Sequence, residues 1–266
     1  MLRILALVTT LLIVSCSHHK KINKPVKVYV YHDFAPFVIE EGAELNLSEQ
    51  FFQKLEAKLA HKNLELVRST KVKVIDSLLK GDQVMILWVN PKWFYKFRNH
   101  LISSSPILWD SDYLLSRKNS PVEFNGGESL YGLTQCSVAG HIYKSIDPYL
   151  KSGKVKIIER PEMKSCVDAV SKGKADYVVI EKSAWLNMFT PNTKKNFSLS
   201  KNYIDGFSRG MLLSKDLKDL LPEVNELIDS LPESTDWKNK MQRIGGKEFY
   251  ELFNLDISEL LKMKTN

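Results

Sequence analysis

A carboxylate at the exit of an apolar strand is a ready acceptor for a ligand's donor groups. Glu181 stands in that position, directly after Tyr177-Val178-Val179-Ile180, at the carboxyl edge where open α/β sheets bind ligands. A charge-assisted hydrogen bond from there would orient a cation or polar group. The bland alternative is a solvated acid in the first turn of a helix, where the dipole favours negative charge. His32, Asp33 and His141 are further acid–base candidates, but no motif unites them with Glu181 into a catalytic set. Phe34 and Phe37 flank Pro36 and either wall a ligand or join the core. Trp88, Asn90, Trp93 and Arg98 form an aromatic and basic stretch after a second strand. His18-His19 without further ligands makes no metal site, and neither a metal nor a cofactor is expected.

The elements that must position these residues follow a repeated grammar. Leu78-Leu79-Lys80-Gly81 ends a helical pattern before Val84 to Val89, and Ser171-Lys172-Gly173 does the same before Tyr177 to Ile180. Glycine suits such helix stops because the left-handed cap costs it little. Short continuous apolar runs of this kind fit parallel strands covered on both faces. Around them the pattern predicts strands at Val26 to Tyr31, Leu64 to Val67, Gly132 to Val138 and Val155 to Ile158. It predicts helices at Ser48 to His61, Val72 to Lys80, His141 to Lys151, a stretch reaching Lys172, and Leu217 to Leu231. Ile107 to Arg117 and Phe207 to Ser214 read as two extended crossings between lobes. Segments around Trp237 to Ile244 and Ile257 to Met263 read as helical. The alternation of strand and helix predicts an α/β fold of two lobes, each a mostly parallel sheet flanked by helices. Two crossing strands make the hinge.

The chain's 266 residues, 44% hydrophobic and 26% charged, suit a soluble globular protein of one large or two ordinary domains. Its formal charge of +7 is dispersed, and no nucleic-acid motif accompanies it. Arg3 followed by an apolar run from Ile4 to Val14 reads as a targeting segment too short to span a bilayer. It ends in Ile13-Val14-Ser15-Cys16, which looks like a lipobox. On this reading 1–15 is a lipoprotein signal peptide, Cys16 is lipidated, and 16–25 is a tether to the membrane. Export would place Cys136 and Cys166 in an oxidising compartment, where they either bond or remain buried thiols. The lobes are assigned as 26–108 with 205–266, and 109–204.

From Val26 to Gly245 the chain resembles the bacterial extracellular solute-binding proteins of family 3. The likeness rests on Phe34-Ala35-Pro36-Phe37 after a strand, Leu79-Lys80-Gly81, Ser104-Ser105-Pro106, Gly132 with Val138-Ala139-Gly140, and Gly173-Lys174-Ala175-Asp176 with Glu181. The resemblance implies the type II periplasmic-binding-protein fold and a ligand trapped between lobes. It implies that Glu181 receives an amino group and that Ala139-Gly140-His141 receives a carboxylate at a helix N-terminus. Asn90-Pro91-Lys92-Trp93 falls where the family has Thr-Pro-Glu-Arg, so Trp93 replaces the clamping arginine, and Val84 replaces a usual Asp. Trp88, Trp93 and Phe94 then point to a more apolar or aromatic ligand, or simply to core packing.

The expected function is a non-enzymatic, lipid-anchored, monomeric binding protein of the periplasm or cell surface. It would capture a small polar solute, an amino acid or related compound, for an ABC permease. The alternatives are a dehydratase-like enzyme on the same fold and a sensory or docking lipoprotein.

Overall fold

A computed structural model describes residues 24–38, 46–141 and 143–255. The signal peptide, Cys16, all but the end of the tether, and the helix read at Ile257 to Met263 lie outside the described residues. The first lobe carries β1 (Val26–Val30), β2 (Leu64–Arg68) and β3 (Val84–Val89), all parallel with β1 between the others. Helices α1 (Leu47–Lys58) and α2 (Lys71–Leu79) connect them. The Asn46 side-chain oxygen accepts from the Ser48 and Glu49 amides, and the Thr70 hydroxyl accepts from the Lys73 amide. These caps satisfy donors that a helix start leaves open. β3 is buried along its whole length.

The second lobe repeats the plan with β6 (Thr134–Val138), β7 (Lys156–Arg160) and β8 (Tyr177–Glu181), parallel and centred on β6. Helices α3 (Asp147–Lys151) and α4 (Met163–Ser171) lie between its strands, and α5 (Lys182–Met188) follows β8 directly. A disulfide joins Cys136 on β6 to Cys166 on α4, with an S–S distance of 2.06 Å.

Two ten-residue strands join the lobes: β5 (Leu108–Arg117) and β10 (Asp205–Ser214). Their first halves pair antiparallel with each other, from Leu108↔Arg209 to Asp112↔Asp205. The second half of β10 pairs with β3, and the second half of β5 pairs with β8. The resulting strand order is β2-β1-β3-β10-β5-β8-β6-β7. Two three-residue strands that the pattern did not predict edge this sheet: β4 (Leu101–Ser103) on β10 and β9 (Phe197–Leu199) on β5. The tail adds α7 (Leu221–Ser230) and α8 (Thr235–Glu251) after the short α6 (Pro191–Lys194). α8 packs against α5 of the second lobe, while its Trp237 ring lies 6.3 Å from Phe51 in α1.

The helix expected from His141 is the largest departure. α3 covers only Asp147–Lys151. Pro148 explains the late start, because a residue without an N–H is tolerated in the first turn and not further in. Gly140, at φ 77°, belongs to a turn. Ala139-Gly140-His141 therefore forms a turn and not a helix N-terminus, so no helix dipole acts at this turn. The described part of the tail helix runs on to Glu251 across a break at Gly246, φ 80°.

Candidate functional site

Arg209 organises the space between the lobes. On β10 the residues Asp205, Phe207 and Arg209 share one face, since strand side chains alternate. Cross-strand pairing lays Asp205, Asp112 and Glu181 in a row over three neighbouring strands. Arg209 is fully buried at the base of this face. Its Nε donates to Asp110 Oδ2 at 3.1 Å, its Nη2 to Glu181 Oε1 at 3.2 Å, and its Nη1 to the Trp88 carbonyl at 3.0 Å. The rings of Phe37, Trp93 and Phe207 lie 4.4, 5.0 and 5.2 Å from the guanidinium carbon. A buried guanidinium requires such partners, because its charge cannot be discharged by losing a proton.

Each partner is held in turn. Asp110 accepts from the Ser183 hydroxyl at 2.6 Å and from the amides of Ser183 and Ser111. It thereby caps the start of α5 from the adjacent strand, where the helix dipole favours a carboxylate. Trp88 sits in the left-handed region at φ 61°, opposite a register shift between Gly210 and Met211 on β10. It is the extra residue of a β-bulge, a device that re-aims groups next to functional sites. The bulge turns the Trp88 carbonyl to Arg209 and to His32 Nε2, which lies 3.0 Å away and must donate its proton. Burial, and then Arg209, hold the His32 pKa well below the usual imidazole range, so His32 is neutral.

Above Arg209 lies a cavity of about 220 Å³. Tyr31, Phe34, Trp93, Phe207 and Tyr143 give it aromatic walls, and Lys71, Lys92 and Lys144 contribute cations to its lining. Glu181 and Asp112 reach into it from the hinge face. Glu181 Oε2 and the Tyr143 hydroxyl are buried without a hydrogen-bond partner among the described residues. Burial raises the Glu181 carboxyl above its ordinary value even though Arg209 pulls it down. Burial first, then the charges of Glu181 and Asp110, push the Asp112 carboxyl well above the usual carboxylate range. Among the described residues no cluster of three His, Cys, Asp or Glu side chains is placed to hold a metal ion.

Of the residues singled out in the sequence, Phe34, Asn90, Trp93, Gly140, His141 and Glu181 line the cavity. Phe37 and Trp88 do not: both are fully buried behind it. Phe37 lies beneath the Arg209 guanidinium, and the Trp88 indole N–H donates to the Ser48 hydroxyl on α1 at 2.8 Å. Arg98 is exposed on the outer side, stacked 4.3 Å from the Tyr95 ring. Ala139 is exposed beside Gly140 without lining the cavity, and Phe94 joins the outer core against Val74 and Leu101. Asn90 spends its amide on structure, donating to the Ser208 carbonyl and accepting from the Lys92 amide. Sequence reading passed over Arg209, Asp110 and Asp112. The available signal was charge on one face of the crossing strands: Asp110 and Asp112 at alternate positions in one, Asp205 and Arg209 four apart in the other.

Solved structures share this fold. A mutant of ArgBP from T. maritima matches with a TM-score of 0.65 and 20% identity, covering 82% of this chain and 94% of that one. The GluR0 ligand-binding core from Nostoc punctiforme, in complex with L-glutamate, matches at 0.65 and 16%, covering 83% and 99%. The chain has the type II periplasmic-binding-protein fold. The ancestral amino-acid-binding protein AncCDT-1, described as a precursor of cyclohexadienyl dehydratase, shares this binding-protein fold at a TM-score of 0.64 and 16% identity, covering 83% and 95%. No family model and no curated protein sequence matches the chain.

Proposed function

We propose that this protein captures a small polar solute, an amino acid or related compound, between its two lobes and releases it unchanged. The observation that carries the reading is the cavity at the crossing strands, lined by Glu181 and Tyr143, whose Oε2 and hydroxyl are buried without a hydrogen-bond partner among the described residues. Buried polar atoms without partners are rare in folded proteins and cost stability, so a ligand that satisfies them would bind with specificity. The 220 Å³ volume suits a metabolite smaller than a drug-sized ligand. The lobes, taken as 26–108 with 205–266 and 109–204, would close by small dihedral changes in β5 and β10. Cys16 anchors the protein in the periplasm or at the cell surface as a lipoprotein, and a monomer serves an ABC permease. Thermal unfolding with a panel of amino acids, hydroxy acids and amines tests capture. A ligand at 100 times its dissociation constant adds about 2.7 kcal/mol, and no shift across the panel would refute the reading.

A second reading has its own observation. Asp112, with its raised pKa beside Glu181 at the cavity, has the character of an acid–base group. An enzyme would return a changed compound, whereas a binding protein returns its solute intact, and mass spectrometry of the released ligand separates the two.

A further inference from the structure

Asp112 is the middle carboxyl of a row that crosses three strands. Asp205 on β10 and Glu181 on β8 both pair directly opposite it. Directly opposed side chains in a sheet lie roughly 4.5–5.5 Å apart at Cβ, and like charges there repel. Its neighbours are already committed. Asp205 accepts from the Ser145 hydroxyl and the Gly206 amide, one bond to each oxygen. Glu181 gives Oε1 to Arg209, and its Oε2 is enclosed. Asp110, two residues before Asp112, is taken up by Arg209, by the Ser183 hydroxyl and amide, and by the Ser111 amide. Asp112 itself is half-buried, lines the cavity, and makes no side-chain hydrogen bond among the described residues. Charge balance favours a cation here, because four carboxyls share the one guanidinium of Arg209. Lys71, Lys92 and Lys144 also line the cavity, yet Arg209 is the one cation among the groups that act most strongly on Asp112. Burial first, then Glu181, Asp110 and Asp205, favour the protonated form of Asp112, and Arg209 opposes them. A cation brought into the row relieves the repulsion and lets that proton leave. Among the described residues no cluster is placed to hold a metal ion. An ammonium, with three donors to distribute, is the cation that suits the row. The Tyr143 hydroxyl, buried in the same lining without a partner among the described residues, is a further acceptor.

We propose that Asp112, on the crossing strand β5, receives the ammonium group of the solute, in place of Glu181, and gives up a proton as it does so. The inference rests on the capture reading above and names its charged anchor. The ammonium donates to the Asp112 carboxylate and keeps its own protons. The O–H bond of the Asp112 carboxyl breaks, and that proton passes to solvent. Affinity therefore rises with pH until Asp112 is already ionised in the free protein, and then levels. Glu181 stays paired with Arg209 throughout and acts on the ligand through the charge it places beside Asp112.

Isothermal titration of the wild-type protein tests this with matched pairs: L-phenylalanine against L-3-phenyllactate, L-aspartate against L-malate, L-alanine against L-lactate. In the pair that fits, the amino acid binds more tightly by about tenfold or more, because its ammonium makes charge-assisted bonds that a hydroxyl does not. The same titration in phosphate and in Tris counts protons. At pH 5 about one proton is released per amino acid bound, and the count falls towards zero as pH rises. His141 also lines the cavity, and burial lowers its pKa, so the proton is assigned with Asp112→Asn. That variant loses about a hundredfold in amino-acid affinity and releases no proton at pH 5. Glu181→Gln loses less than Asp112→Asn. The wild-type proton count stands whether or not either variant folds. Tighter binding of the hydroxy acid, or amino-acid binding to wild type without proton release at pH 5, overturns the inference and leaves capture standing. So does proton release that persists in Asp112→Asn, or a larger loss in Glu181→Gln than in Asp112→Asn. Failure of every pair and of the wider panel to bind removes the capture reading and this inference with it.

Discussion

The units that end in β3 and β8 are built alike and finish differently. Each runs helix, left-handed glycine, buried strand: α2, Gly81 at φ 73° and β3 in the first lobe, then α4, Gly173 at φ 69° and β8 in the second. Each strand pairs parallel with the centre of its lobe and antiparallel with a crossing strand. β3 leaves through a bulge that offers the Trp88 backbone carbonyl, whereas β8 leaves through the Glu181 carboxylate. Both exits converge on Arg209. The repeated scaffold supplies position, and the chemistry sits where the repeats diverge.

Replacing Arg209 should break this convergence with the largest effect. Arg209→Met leaves Asp110 buried without its cation and frees both exits, so denaturant unfolding should show a loss of about 3–5 kcal/mol. The disulfide sharpens the contrast between lobes, because only the second is stapled. With Cys136 and Cys166 separated by 30 positions, the double change to Ser should cost about 3–4 kcal/mol under oxidising conditions and nothing extra under reducing ones. Asp112 gives a smaller effect that appears as a pH dependence. It faces Glu181, Asp110 and Asp205, which raise its pKa, and Arg209, which lowers it, while burial dominates. The folded protein therefore holds a proton that the unfolded chain has released above the ordinary value of 3.8. Stability from this group is complete below that value and falls as pH rises through the folded pKa. Asp112→Asn should flatten that fall in melting temperatures recorded from pH 4 to 8. The two helix stops give the smallest effect. Gly81→Ala should cost about 1 kcal/mol for its left-handed backbone. Gly173→Ala should cost more, because a methyl there meets Arg117 Nη1 at 3.1 Å. That nitrogen is tied to the Val170 and Ala175 carbonyls and does not yield freely.

These contrasts explain what could be read in advance. The two units, the crossing strands and the lobe plan were legible because burial on both faces writes continuous apolar runs and glycine marks each stop. Phe34, Trp93, Gly140, His141 and Glu181 were legible as residues flanking strand ends. Phe37 and Trp88 misled because an aromatic beside a turn carries no sign of which side of the sheet it faces, and the bulge at Trp88 depends on its pairing with β10. Arg209 was passed over because its role depends on Asp110, 99 positions away. Alternation along one strand says which face a charge occupies, and nothing about the partner that neutralises it. The absent helix at His141 was readable from Pro148, whose place in a first turn fixes the start.

The most direct measurement is a crystal structure with whichever probe gives the largest thermal shift. The account predicts that probe between Trp93 and Glu181, with a donor within hydrogen-bond distance of the Asp112 carboxyl and with the Arg209 pairs to Asp110 and Glu181 intact. A probe bound outside this cavity, or Arg209 withdrawn from Glu181 to admit it, would contradict the account.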